Sequence, residues 1–362
     1  MPLHIIGGSY KKLCKMFNGV YIDFSPDSNI CLNFFETIRD PVYDIPVITE
    51  IITHMATSYT GDLPGGERVS YETAVNVIKS AVEKVYEEKG NTATIDDVYE
   101  YLMNFTKYHD VISTLCADEK EVCKVEFSVV ATSLAFNLEK FTSSGVYGKW
   151  FVGKNTFDPG VNDFVVLELE HLKPLKDLFS VVVLVVLNFV TSELYKSDRQ
   201  VPTLILLDES WQFLQDTPTF QKVIEEGYRR ARKYYGSFGI ITQSVLDFEQ
   251  FGNVGKVINA NSAFKFFLES SDFDRARDKK LLPFDDDFTI NLLKSVRYNA
   301  PRYSEIFAYT DRFGAGVLRL AVDSYSYYVY TSNPAEVARI EELVASGKSY
   351  DEAIEIIMSE RK

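Results

Sequence analysis

Cysteine is scarce in the 362-residue sequence: four residues, Cys14, Cys31, Cys116 and Cys123, none of them in a CxxC pair. That excludes a disulfide scaffold and the zinc sites that paired cysteines build, and it reads as free thiols in a reducing cytoplasm. The amino terminus, MPLHIIGGSYKKLCKMF, lacks the charged start and long apolar core of a secretory signal. No apolar run approaches the roughly 20 residues of a membrane helix. The most apolar stretch, LFSVVVLVVLNFV at 178–190, is about 13 residues long and is better read as a buried core helix. Its valine content would also suit a strand, and periodicity does not decide between them. A positive excess is missing as well. With 38 Lys and Arg against 52 Asp and Glu, the net charge of −14 excludes a surface that is one continuous nucleic-acid footprint, leaving only a local basic patch open.

What is present is the composition of an ordinary soluble globular protein, 46% hydrophobic and 25% charged, with aromatics at 14% that imply extensive packed interfaces. The length suits one large α/β domain with an insertion, or two domains. Texture changes along the chain favour the insertion. Up to about Phe35, short apolar pieces (LHII, GVYIDF) flank the helical SYKKLCKMF. From Ile45 to about Phe141, VITEIITHMATSY, YETAVNVIKSAVEKVYEEKG, TIDDVYEYLMNFTKY and CKVEFSVVATSLAFNLEKF space their apolar residues by three and four, as helices do. Past GVYGKWFVG, alternation resumes: DFVVLELEHL predicts a strand, 175–196 a helix, 203–207 a strand buried on both faces. TFQKVIEEGYRRARKYYG then predicts a helix closed by Gly236, and SFGIITQS and NSAFKFFLES predict strands. SEIFAYT and AGVLRLAV suit an antiparallel hairpin, and the last thirty-odd residues suit two short helices.

Three constellations carry chemistry. In TLILLDESWQFL, an apolar strand runs straight into Asp208 and Glu209. Ligands in parallel sheets bind at the strands' carboxyl ends. An Asp there can hold the hydrated Mg2+ that bridges phosphates, while the adjacent Glu polarises an attacking water. A solvated strand end is the plainer alternative. The second is EEGYRRARKYYG, where Arg229, Arg230 and Arg232 are either a solvated face held by Glu225–Arg229 and Glu226–Arg230 pairs or an arginine finger for a neighbouring subunit's phosphates. Third is Gln243, at the end of the next buried strand, where a carboxamide can contact a γ-phosphate or its water.

LILLDESWQFL, EEGYRRARKYYGSFGIITQS, YIDFSPDSNICLN, YGKWFVG, FVVLELEHLK and YTSNPAEVARIEELVASGKS closely resemble the carboxyl-terminal ATPase domain of the TraC-type conjugative-transfer ATPases. These are the large energising ATPases of type IV secretion systems, in the HerA–FtsK group of RecA-like P-loop motors. The resemblance runs from about Ile5 to Ile357. It implies an α/β fold, a RecA-like core with a central, mainly parallel sheet and an all-helical insertion. The implied boundaries are 1–44 and 146–331 for the core, 45–145 for the insertion and 332–362 for terminal helices. It implies ATP and Mg2+ as ligands, Asp208 and Glu209 as the Walker B pair with Asp208 holding the metal through water, Gln243 as sensor, and an arginine-bearing motif at Arg229, Arg230 and Arg232. It favours helix for 175–196. It also implies a homohexamer at the cytoplasmic face of a bacterial inner membrane, bound to inner-membrane components of the secretion complex, with transient contact to DNA or a relaxase.

One departure matters. No G-x-x-x-x-G-K-[ST] loop occurs; GGSYKK at 7–12 has glycine and lysine without the spacing and matches the segment after the second core strand. The expectation is therefore a motor domain that starts after its phosphate loop and is inactive alone. A non-catalytic assembly module and a DNA-translocating pump of the same superfamily remain as alternatives.

Overall fold

The computed structural model describes residues 2–5, 10–57, 71–105, 120–157, 162–196, 200–208, 218–299 and 302–360. Contacts divide the chain into two compact units. One comprises Met1–Asp23, Pro159–Glu170 and Glu193–Lys362, the other Phe24–Asp158 and His171–Ser192.

The second unit is helical. Pro41–Thr57 buries Ile48, Ile51, Ile52 and Met55, the i, i+3, i+4, i+7 stripe of a helix with one apolar face. Tyr71–Lys89 does the same with Ala74, Val77, Ile78, Ala81, Val82 and Val85. Ile95–Met103 and Lys120–Leu138 complete the set. At the start of Ile95–Met103, Asp97 Oδ2 accepts from the Thr94 backbone N–H at 2.8 Å, capping an otherwise orphaned donor. The ambiguous valine run is helix, Lys176–Lys196. Every residue from Val181 to Leu187 is buried, so the helix is apolar all round and carries no period to detect. It is long and apolar enough to cross a membrane by length and composition, yet 67% of its most apolar window is buried within the protein.

The first unit holds two sheets. Strands β1 (Pro2–Ile5), β2 (Val20–Asp23), β3 (Val165–Glu168), β4 (Thr203–Asp208) and β5 (Gly236–Ile241) form a sheet in the order β2-β3-β1-β4-β5, with every pairing parallel. Strands β6 (Lys265–Phe267), β7 (Tyr298–Asn299), β8 (Tyr303–Thr310) and β9 (Gly314–Leu320) form an antiparallel sheet. The expected hairpin is β8–β9, with Gly314 at φ 82° where a β-carbon would be strained. Phe267 and Phe307 of this sheet pack with Phe273, Ile290 and Leu293 in a separate core.

Two strand readings need correction. Within β4, Ile205 and Leu207 are buried, but Leu204 is 38% exposed, so the strand is buried on one face only. β5, ahead of Gln243, is not a buried strand either: Ser237 and Ile241 are exposed and the others half-buried. The reason is position. Among the described residues β5 pairs with β4 alone, so it forms an edge of the sheet.

The helix Pro218–Arg230 buries Phe220, Ile224 and Gly227, a 4,3 spacing that keeps one face inward, and meets β5 where Gly227 and Tyr228 lie against Phe238. Its end also differs from expectation. A 3-10 turn, Ala231–Tyr234, follows, and the left-handed residue is Tyr235 (φ 59°), while Gly236 already belongs to β5. Gly227 is demanded by proximity, since a β-carbon there would lie 2.6 Å from the Phe238 ring. Gly227→Ala is therefore expected to destabilise the first unit by about 1–3 kcal/mol, the scale of overpacking, measured as a lowered midpoint in urea. An unchanged or raised midpoint would show that the helix–strand gap is wider than this.

Candidate functional site

Parallel pairing puts all five carboxyl ends on one edge. Asp208 closes β4 there, in register with Ile241 of β5, and Gln243 follows two residues later, exposed. Asp208 and Gln243 thus share an edge. Glu209 lies outside the described residues.

The crossovers add a second element. From β1 the chain turns through the helix Lys11–Met16 towards β2, and from β4 through Pro218–Arg230 the opposite way to β5. The carboxyl ends of β1 and β4 therefore flank a topological switch point, where open parallel sheets hold ligands. Tyr10, just before Lys11–Met16, bridges that crevice: its hydroxyl donates to Asp208 Oδ2 at 3.0 Å. Burial and the Asp208 charge push the phenol's pKa up to about 12. Two further carboxylates close strands on this edge, Asp23 on β2 and the buried Glu168 on β3, paired in register. Glu168 Oε1 accepts from the Glu170 N–H at 2.9 Å, and Tyr21 donates to Oε2 at 3.5 Å. No short-range sequence signal pointed to Tyr10, because the contact joins positions 198 residues apart.

The donor set suits magnesium. Mg2+ takes one or two carboxylates, leaving its other positions to waters and phosphate oxygens, and Asp208 is a carboxylate on an open edge. Among the described residues no group of three or more His, Cys, Asp or Glu could cage a metal by itself. Of the cysteines, Cys14 and Cys31 are free and buried, whereas Cys116 and the Cys123 side chain lie outside the described residues.

The arginines are not brought to this edge. Tyr235 O accepts from the Thr203 N–H at 3.1 Å, which fixes the turn after Pro218–Arg230 at the amino end of β4. Five strand steps from Thr203 to Asp208 separate the two ends by about 16 Å. Arg229 pairs with Glu225 at 2.7 Å and Arg230 with Glu226 at 3.5 Å, the i,i+4 pairs that the plainer reading anticipates. Arg230 also lies 5.2 Å above the Tyr195 ring. Arg232 is exposed and makes no ion pair among the described residues.

A five-stranded parallel sheet with Asp208 at the carboxyl end of β4, and a helical unit supplied by the segments after β2 and after β3, is the RecA-like P-loop class of α/β fold. Residues 3–361 match the family described as the TraG P-loop domain, and the chain belongs to that family. The protein TraC of Escherichia coli (strain K12) is 26% identical over 361 residues, 96% of this chain. The chain spans 38% of that relative's length. The structure of VirB4 of Thermoanaerobacter pseudethanolicus superposes with a TM-score of 0.61 at 19% identity, covering 93% of this chain and 83% of that one. The conjugative coupling protein TrwBdeltaN70, in complex with sulphate, gives 0.50 at 14% identity over 88% of this chain and 70% of that one. The resemblance to TraC-type conjugative ATPases is thereby borne out.

The two paired arginines should separate in a stability measurement. Arg229→Ala removes one exposed i,i+4 pair and is expected to cost about 0.3–0.5 kcal/mol. Arg230→Ala also removes a ring contact and is expected to cost about 1 kcal/mol. Denaturant unfolding resolves the difference, and equal losses would mean that the Tyr195 contact contributes nothing.

Proposed function

We propose that this chain is the motor domain of a conjugative type IV secretion ATPase, hydrolysing ATP with Mg2+ once a phosphate loop is joined to it. The observation that carries this is Asp208, placed at the carboxyl edge and switch point of a parallel sheet in a TraG P-loop family chain. In this reading Asp208 holds the metal through water, Glu209 polarises the attacking water and Gln243 senses the γ-phosphate. Mg2+, when bound, neutralises charge on the phosphates. The boundaries 1–44, 45–145, 146–331 and 332–362 are proposed as core, helical insertion, core and terminal helices. Assembly as a homohexamer at the cytoplasmic face of the inner membrane, against secretion-complex components and with DNA or relaxase as transported partner, belongs to the same proposal.

The division of roles is tested in the longest native polypeptide carrying this chain. Glu209→Gln is expected to keep nucleotide binding while hydrolysis falls about a hundredfold or more, the scale of a positioned general base. Asp208→Asn is expected to weaken Mg2+-dependent binding instead. Equal loss of binding in both variants would overturn the assignment.

An arginine that serves the site must come from another subunit, given the distance to its own Asp208. Arg232 is favoured because, among the described residues, it has no ion pair to break. Arg232→Ala should abolish hydrolysis with nucleotide binding intact, and mixing it with a subunit whose phosphate loop is inactivated should restore part of the activity. No rescue at any ratio, with mixed assembly confirmed, would sink the trans arginine.

A second reading has its own observation: no G-x-x-x-x-G-K-[ST] lies within residues 1–362. A non-catalytic assembly module would give no hydrolysis in any native form of the protein.

A further inference from the structure

We propose that Tyr10 is a positioning residue of the nucleotide site, its phenol fixing the Asp208 carboxylate in the rotamer that turns the other oxygen towards hydrated Mg2+. This rests on the reading of Asp208 as the metal-side carboxylate. An aspartate that binds a metal through water contributes more when its side chain is already aimed, because an unfixed carboxylate loses rotamer freedom on binding. Outer hydrogen bonds to metal-holding groups commonly do the aiming. Tyr10 supplies one: its hydroxyl reaches Asp208 Oδ2 at 3.0 Å across the crevice between the ends of β1 and β4. A phenol is protonated at neutral pH and so acts there as a donor.

Tyr10 has a firm base. Two residues on, buried Lys12 donates from Nζ to Tyr328 O at 2.5 Å and to Thr331 O at 3.3 Å. Leu13 and Met16, on the same short helix, pack against the core built by Tyr328, Ile340, Tyr350 and Ile354. The backbone that carries Tyr10 is thus tied to the carboxyl-terminal helices, and the phenol approaches Asp208 from a fixed origin. A surface tyrosine meeting a carboxylate by chance would have no such anchorage.

The phenol could instead obstruct the metal, and the two roles have opposite signs. A positioning hydroxyl lowers the Mg2+ concentration that nucleotide binding requires, whereas an obstructing one raises it.

The experiment uses the longest native polypeptide containing this chain, with a fluorescent ATP analogue titrated at rising MgCl2 and, separately, in EDTA. Tyr10→Phe keeps the ring and deletes one oxygen. The Mg2+ concentration for half-maximal binding is expected to rise about tenfold, the lower end of the range for such outer-shell losses, with binding in EDTA unchanged. Asp208→Asn is expected to weaken the Mg2+-dependent binding, and Tyr10→Phe should then add nothing on top of it. An unchanged or lowered Mg2+ requirement in Tyr10→Phe would overturn the inference while leaving the site reading intact. An effect of Tyr10→Phe that persists in the Asp208→Asn background would overturn it too, by showing that Tyr10 acts elsewhere. If Asp208→Asn itself leaves the Mg2+ dependence untouched, or the unmodified protein shows none, the reading of the site fails and the role of Tyr10 fails with it.

Discussion

The constraint on which the rest depends is the parallel register of β1, β4 and β5. Ile5 pairs with Leu207, and Asp208 pairs with Ile241. Antiparallel pairing would have sent alternate strand ends to opposite edges. Parallel pairing instead requires a crossover after every strand, so the segments after β1, β4 and β5 all start from one edge, and Tyr10, Asp208 and Gln243 come from those segments. It also forces the returning helix Pro218–Arg230 to finish at the other edge. One rule of pairing therefore explains both why Asp208 and Gln243 share an edge and why the arginines do not join them.

Much of this was legible in sequence where local pattern and tertiary environment agree. The stripe Ile48, Ile51, Ile52, Met55 has one helical solution, and the hairpin of β8 and β9 follows from two alternating runs around a glycine. Legibility failed where burial depends on which element lies next door. Leu204–Leu207 looks like a strand covered on both faces, yet its neighbour β5 is an edge and Leu204 faces outward. The sequence predicts one helix running to Gly236, a residue type that favours a positive φ. Tyr235 takes that conformation instead, and Gly236 is needed for closeness, since a β-carbon would lie 2.7 Å from Leu194. Asp208 and Gln243 at the carboxyl edge, and the arginines at the other, announced themselves through motif order. Tyr10 and Glu168 did not, because what marks them is a contact or a strand end visible only once the sheet order is known.

Lys12 shows how support for that edge is distributed. A buried ammonium is tolerated only when hydrogen-bonded, and here the acceptors are main-chain carbonyls at the end of the helix Ser324–Tyr330 and just beyond it. Burial lowers its pKa, while Glu336 and Glu341 oppose that shift. The carboxyl-terminal helices therefore do more than close a core of their own. They hold the segment from which Tyr10 extends, so their packing and the aim of Asp208 are mechanically connected through two residues of chain.

The separation of charges bears on assembly. Asp208 and Gln243 stand at one end of the β4–β5 pair, while Arg232 lies beside the turn at the other end, about 16 Å of strand away. A contact that joins the arginine end of one copy to the carboxylate end of the next uses two different surfaces. Such a head-to-tail contact cannot stop at a symmetric dimer; it closes into a ring or continues as a filament. If the arginine end of one copy serves the nucleotide of the next, the site is complete only at a junction. If Arg232 serves the nucleotide at all, hydrolysis becomes a property of the assembly, and each turnover requires the relative placement of two neighbours to be correct.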